Sequence, residues 1–438
     1  TMLYIEGIKN PEKLLKHCLS LQQKGCSIVA LKSGITEKGK AAAASHTGAM
    51  VNPNIFVKAL FNTAGIIQCS SRYELVNCAA LLHISQKKPM NWGIITHAGG
   101  PGVILTDNLT KNKLVVSDLS TDHQEALKQL LYNGAATNNP IDILSTGTAE
   151  QLDQVLDYCD QEVQEFDAMV VIFGSPGLGS VTDAYQVIHN KIKECHKPVY
   201  AILPSVVNVA NDIRKFVDKG NIAFYDEHLF ATCLGKITKT PHPGPTKDIS
   251  ASVPNSKIRD LIKTLPAGFL NPEDTFKLLE TAGIPMAKQL MIQHPSELTR
   301  ISKKLNFPLV AKVVGPLHKS DVQGVITSIT DMTHLKKNYK KLMSIKGAEG
   351  VLIQEMIKGK EVFIGGKRAT GFPPLVISGA GGIYIETLKD YNFGLSPVNI
   401  DEAIKMVDQL QINPILKGTR GEAPCNLKAF YKTIIKKI

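Results

Sequence analysis

Two histidines, a strand lysine and a few carboxylates stand in settings suited to handling a phosphoryl group. His46 lies in Ala43-Ala44-Ser45-His46-Thr47-Gly48-Ala49-Met50, just upstream of the apolar pattern Ile55, Phe56, Ala59, Leu60, Phe61. Small neighbours let a bulky anion reach the imidazole, and a helix starting just after the ring offers unpaired backbone N–H groups to receive it. A phosphorylated histidine needs both; a histidine in an ordinary surface loop is the plain alternative. Glu6 ends the first predicted strand, and the carboxyl ends of parallel strands face the ligand crevice. A carboxylate beside an imidazole fixes the tautomer and raises the basicity of the ring, which suits phosphoryl transfer onto nitrogen. An exposed strand-end glutamate is the alternative here.

The second histidine, His318, follows the strand pattern Leu309-Val310-Ala311-Lys312-Val313-Val314 in a polar stretch bracketed by Gly315 and Gly324. Lys312 is an isolated charge in an otherwise apolar run. A buried, unpaired ammonium is costly and needs an anionic partner, unless the lysine sits on an exposed strand face. With both segments in this order, the chain resembles the NDP-forming acyl-CoA synthetases, of which ADP-forming acetyl-CoA synthetase is the type, relatives of succinyl-CoA synthetase. Ser45-His46-Thr47-Gly48-Ala49 is similar to that family's phosphohistidine loop. Lys312 with His318-Lys319-Ser320-Asp321 is similar to the opening of its ATP-grasp module.

The resemblance implies roles for further residues. His46 would accept the phosphoryl group, Glu6 would orient it and His318 would relay it, while Lys312 would reach nucleotide phosphates. Glu355, in Gln354-Glu355-Met356-Ile357, would sit at the hinge that receives adenine; Lys367, Arg368, Gly381 and Gly382 would complete the nucleotide site. Phosphoryl transfer needs magnesium on hard oxygen ligands. Glu386, just after the glycine loop, and Asp390 are the candidates, against a capped and solvated helix start. Two departures from the family pattern stand out: Ala369-Thr370 replace Asp-Pro, and Gly394 stands where an arginine is expected.

Stepping outward, 438 residues exceed one ordinary core, and 43% hydrophobic with 20% charged residues is globular composition. No apolar run reaches the roughly 18 residues of a membrane span, which implies a cytoplasmic protein. The eight cysteines show neither a Cys-x-x-Cys pair nor zinc spacing, so they are expected as reduced core thiols. The net charge of +11 comes from dispersed lysines with only 6% aromatics, which points to anionic small ligands and away from nucleic acid.

Alternating strand and helix patterns predict an α/β fold: flavodoxin-like parallel-sheet ligase domains followed by an α+β ATP-grasp module. The expected domains are 1–90, a partial succinyl-CoA-synthetase-like domain opening on an interior strand; 91–237, a second α/β ligase-CoA-like domain; 238–256, a Pro-rich linker; and 257–438, the ATP-grasp module. In the second domain, His97-Ala98-Gly99-Gly100-Pro101-Gly102 reads as a glycine-rich loop before a helix at Val103, either a tight turn or an anion site. The resemblance implies that acyl-CoA, ADP and phosphate interconvert with a carboxylic acid, CoA and ATP through the phosphohistidine, with Mg2+. It also implies that the CoA site lies largely outside this chain, so that the missing CoA-binding domain acts in cis or as a partner in a homo- or hetero-oligomer. The 438 residues alone would then not complete the reaction. A sensing protein built from the same modules is the alternative.

Overall fold

A computed structural model describes residues 1–41, 52–85, 88–175, 177, 180–241, 256–316, 323–382 and 385–436, without the side chains of 302, 385 and 386. Two compact units emerge, Thr1–Thr246 and Lys247–Ile438.

In the first unit, β1 (Met2–Ile5), β2 (Val29–Lys32) and β3 (Ile67–Cys69) pair in parallel in that order. Among the described residues β1 pairs with β2 alone, and its Met2 and Tyr4 are exposed. The crossover after β1 runs through α1 (Pro11–Gln23), whose start is set by Asn10 capping the Lys13 amide and by Pro11 in the first position. The next crossover ends in α2 (Asn54–Thr63), which buries Phe56, Val57, Ala59, Leu60 and Phe61. Beyond β3, α3 (Arg72–Ile84) is capped by Ser71.

A second parallel sheet takes the order β5-β4-β6-β7-β8, from β4 (Trp92–Thr96), β5 (Ile141–Asp142), β6 (Ala168–Ile172), β7 (Val199–Ile202) and β8 (Ala223–Phe224). Its crossovers carry α4 (Gly99–Lys111), α5 (Thr121–Leu130), α6 (Ala149–Gln161), α7 (Thr182–Glu194) and α8 (Ala210–Asp218), with α9 (Glu227–Lys239) after β8. Every residue of β4 and β6 is buried, as a parallel sheet covered on both faces requires. The glycine-rich stretch after β4 differs from expectation: the helix begins at Gly99, so all three glycines and Pro101 lie in or at its first turn, where a missing proline N–H costs nothing. A Cβ on Gly102 would lie 3.2 Å from Thr96 and 3.3 Å from Pro140, so the glycine lets α4 approach the sheet.

The core around Trp92, whose ring lies 5.2 Å from Tyr200 and 5.7 Å from Phe230, also takes in Val29, Ile67, Cys69, Leu75 and Cys78. Each such side chain is worth about 1.5–3 kcal/mol when fully buried. A shared core of this size makes one unit of the stretches read from sequence as separate domains. Thr238 and Lys239 belong to α9, and the remainder of the expected linker, 242–255, lies outside the described residues.

The second unit opens with α10 (Ser256–Thr264) and α11 (Pro272–Thr281), the latter capped by Asn271. An antiparallel sheet in the order β11-β10-β12-β9 joins β9 (Gln289–Ile292), β10 (Leu309–Val314), β11 (Val325–Ile329) and β12 (Gly350–Glu355). Helices α12 (Ile301–Lys304) and α13 (Met332–Met343) pack on one face through Ile301, Leu335, Tyr339 and Leu342 against Leu309, Ala311, Val313 and Ile353. A second antiparallel sheet comprises β13 (Val362–Lys367), β14 (Leu375–Ala380) and β15 (Tyr391–Leu395), with the short α14 (Ile385–Leu388) between the last two. Ile364 and Val376 pack on the core of α15 (Ile400–Asp408), α16 (Asn413–Leu416) and α17 (Leu427–Ile435).

Asp390 is a correction to the sequence expectation. Its carboxylate is 8% exposed and accepts the Gln411 and Ile412 amides, each at 2.8 Å, so it clamps the turn between α15 and α16 and is not an open metal ligand. Asp390→Ala should therefore lower the denaturation midpoint of the second unit in metal-free buffer, by about 1–3 kcal/mol for each amide left unpaired. Equal stability of variant and wild type would show the clamp to be dispensable.

His97 is 7% exposed between the Ile172 carbonyl, 3.4 Å from Nδ1, and the Phe173 ring, stacked at 4.5 Å. Burial holds its pKa below the ordinary histidine value. The unfolded chain then binds the proton more readily, so this contribution to stability is complete above roughly pH 6.5 and is lost as the pH falls toward the folded value. His97→Gln should flatten the decline in melting temperature between about pH 7 and pH 5, and an unchanged slope would contradict it.

Candidate functional site

The first group of candidates gathers at the carboxyl edge of the β1-β2-β3 sheet. Glu6 follows β1 directly and is exposed, and its main-chain carbonyl accepts a 2.8 Å bond from the Lys32 ammonium at the end of β2. Segment 42–51, which carries His46, lies outside the described residues, but both of its flanks are placed. On one side Lys40 pairs with Glu37, and its charge is felt at Lys32. On the other, the buried Asn52 amide accepts the Ile8 N–H at 2.8 Å and donates to the Ile8 carbonyl at 3.1 Å. This two-bond clasp sets the end of the His46 segment two residues from Glu6. Immediately afterwards α2 begins at Asn54, with Pro53 before it giving no side-chain cap. Sequence reasoning found Glu6 and the helix start but missed Lys32 and Asn52. Lys32 could have been noticed as the sole charge in the buried run Ile28-Val29-Ala30-Leu31-Lys32.

In the second unit, strand alternation sorts the candidates. Leu309, Ala311 and Val313 face the α13 core, which puts the half-buried Lys312 on the opposite face of β10. Lys312 pairs in register with Leu352 and Val310 with Gln354, so Gln354 shares the lysine's face and Glu355 does not. The Glu355 carboxylate instead accepts the Asn306 main-chain amide at 2.9 Å and its side-chain amide at 3.0 Å. Lys312, expected at the nucleotide phosphates, and Glu355, expected at the adenine hinge, thus lie on opposite faces of the sheet. His318 lies outside the described residues, as do its neighbours 317–322. At their upstream flank Gly315 has φ +119°, where a Cβ would strike the Gly347 carbonyl.

On the other antiparallel sheet Lys367 ends β13 in register with Leu375, and by alternation it lies on the face of Phe363, Ile377 and Phe393, away from the helix-packed Ile364 and Val376. Arg368 follows, exposed. Gly381 donates its N–H to the Glu361 carbonyl at 2.8 Å, and a Cβ on Gly382, which has φ +76°, would strike the Glu361 carboxylate. Glu361 is thus the carboxylate set against the glycine loop. The Glu386 side chain lies outside the described residues, and among those described no group of three His, Cys, Asp or Glu could hold a metal ion. At Gly394 a Cβ would sit 3.3 Å from both Val398 and Met406, so this position faces the helices, away from Lys367.

No helix among the described residues is long and apolar enough to cross a membrane, and all eight cysteines are free thiols. Family comparisons divide the chain more finely than the two compact units, with two matched domains in the first unit and one in the second. The ATP-grasp domain matches residues 264–437, the flavodoxin-like domain of succinyl-CoA ligase 1–82 and the ligase-CoA domain 92–235. A 4-hydroxybutyrate–CoA ligase (ADP-forming) of Nitrosopumilus maritimus is 30% identical over 97% of this chain and 63% of its own length. Acetate–CoA ligase (ADP-forming) I of Archaeoglobus fulgidus is 28% identical over 99% of this chain and 64% of its own. The chain thus spans a little under two thirds of these relatives. The beta subunit of acetate–CoA ligase (ADP-forming) I of Pyrococcus furiosus, 31% identical, is matched over 83% of its length by 41% of this chain. With an α/β ligase unit followed by an ATP-grasp unit, in the order found in these relatives, the chain belongs to the NDP-forming acyl-CoA synthetase family.

Proposed function

We propose that this chain carries the phosphoryl-transfer machinery of an ADP-forming acyl-CoA synthetase, with His46 as the phosphoryl acceptor. The observation that carries the reading is the Asn52–Ile8 clasp, which holds the downstream flank of the His46 segment two residues along the chain from Glu6, just before α2. Phosphate oxygen attacks the acyl carbonyl of acyl-CoA, and the C–S bond breaks to release CoA and leave an acyl phosphate. A ring nitrogen of His46 then attacks phosphorus as the carboxylate departs. Glu6 accepts the other ring N–H and stabilises the charged imidazole; the amides opening α2 suit the transferred phosphoryl oxygens. The β-phosphate oxygen of ADP finally attacks phosphorus, the N–P bond breaks, and ATP forms.

For the nucleotide half, Lys312 lies on the face of β10 opposite the α13 core and Lys367 on the face of β13 opposite Ile364, and both suit a polyphosphate. Gln354 and the Lys312 face replace Glu355 as the candidate surroundings of the base. Magnesium neutralises phosphate charge and in such sites keeps few protein ligands; Glu361 against the glycine loop, with Glu386, suits it better than the turn clamp Asp390. A glycine at position 394 takes no cation from the Lys367 face, which favours turnover over mere nucleotide sensing. Free thiols suit a cytoplasmic setting. CoA and the acid would be bound together with sequence corresponding to the remainder of the longer relatives, in the same polypeptide or in a partner subunit, as the separately named subunits of Pyrococcus furiosus suggest.

His46→Ala should abolish acid-labile labelling of the protein by radiolabelled ATP with magnesium. Labelling of that variant to wild-type extent would remove His46 from the mechanism. His318 is proposed as the relay between nucleotide and His46. In the complete enzyme, His318→Ala should block labelling of His46 from ATP and leave labelling from acyl phosphate intact. If saturating ATP still labels His46, the relay is discarded and His318 only binds phosphate.

A further inference from the structure

Lys32 is 5% exposed at the end of a strand whose other residues are apolar. Its ammonium bonds the Glu6 carbonyl at 2.8 Å and the Ser33 carbonyl, and among the described residues it forms no ion pair. Burial lowers its pKa; the Glu6 charge opposes that effect and the Lys40 charge adds to it. A buried cation satisfied by carbonyls alone is a poor stabilising device, since an apolar residue of similar size is commonly neutral or better there. What the bonds accomplish is positional. They join the turn after β1 to the turn after β2, the two turns that flank the crevice at the carboxyl edge. Lys32 grips Glu6 by its main chain, so the Glu6 carboxylate stays exposed and available to an imidazole N–H.

We propose that Lys32 is a positioning residue of the phosphoryl-receiving centre, acting through Glu6: its ammonium ties the Glu6 turn to β2 and so fixes where that carboxylate is presented. This rests on the phosphohistidine reading and extends it to a residue outside the motifs that suggested it. A partner mispositioned by about 1 Å can slow a reaction by about 10²-fold, which sets the expected scale.

The test uses the full-length enzyme and compares wild type, Lys32→Met, Lys32→Gln, Glu6→Gln and the Lys32→Met/Glu6→Gln double variant. The measurements are single-turnover labelling of His46 from ATP, ATP affinity by calorimetry, and thermal melting. Lys32→Met should slow labelling by about 10²-fold with ATP affinity unchanged. In the Glu6→Gln background the same change should add about twofold at most, because residues acting as a unit are not additive. Lys32→Gln keeps a donor for the carbonyls; it should recover labelling to within about tenfold of wild type and serves as the folded variant if the methionine one melts. Labelling of Lys32→Met or of both single variants at the wild-type rate, or effects that multiply in the double variant, would overturn the positioning role. Absence of label from wild type itself would overturn the phosphohistidine reading, and this inference with it.

Discussion

The double hydrogen bond between the Asn52 amide and the Ile8 backbone is the constraint on which the first centre depends. Asn52 is buried, so each of its bonds replaces a hydration that is no longer available, and breaking either leaves an unpaired polar group in a dry site. From that point the chain turns directly into α2, whose buried Phe56, Leu60 and Phe61 fix the helix against the sheet.

Behind this edge the energetics are those of an ordinary apolar core shared between two sheets. Helices α3 and α9 contribute Leu75, Cys78, Phe230 and Leu234 to it, beside Trp92 and Tyr200 of one sheet and Val29 and Ile67 of the other. The continuity matters for chemistry because the short β1-β2-β3 sheet is small by itself. Embedded in a larger core, it becomes a rigid base for charged groups at its edge, and rigid support is what places catalytic groups to within fractions of an ångström.

The second unit applies a different logic to the same problem. Each of its sheets commits one face to helices and leaves cationic side chains on the other: Lys312 on β10 and Lys367 on β13. The glycines near these faces serve close approaches. Gly382 makes room for the Glu361 carboxylate and Gly315 for the Gly347 carbonyl, and each adopts a positive φ that other residues rarely tolerate.

Much of this was legible in the chain itself. The strand pattern Leu309–Val314 coincides with β10, and the strand read as ending at Glu6 ends one residue earlier, because the period is set by which side of an element meets the core. The Ser45-His46-Thr47 and Lys312 segments pointed to the family that the comparisons show. Other features could not be read there. Glu355 and Gln354 are neighbours in sequence, and only the register of β10 with β12 decides which of them shares a face with Lys312. Asp390 has the composition of a metal ligand, but its oxygens are taken by amides 21 and 22 residues away. Lys32 resembles any strand-end lysine until the fold brings the Glu6 carbonyl to it. Sequence by itself determined residue types and local periods, hence the fold class. Tertiary structure decided which polar groups are consumed in holding turns together and which remain available for substrate, because hydrogen bonds formed over long sequence separations exist only once the chain has packed.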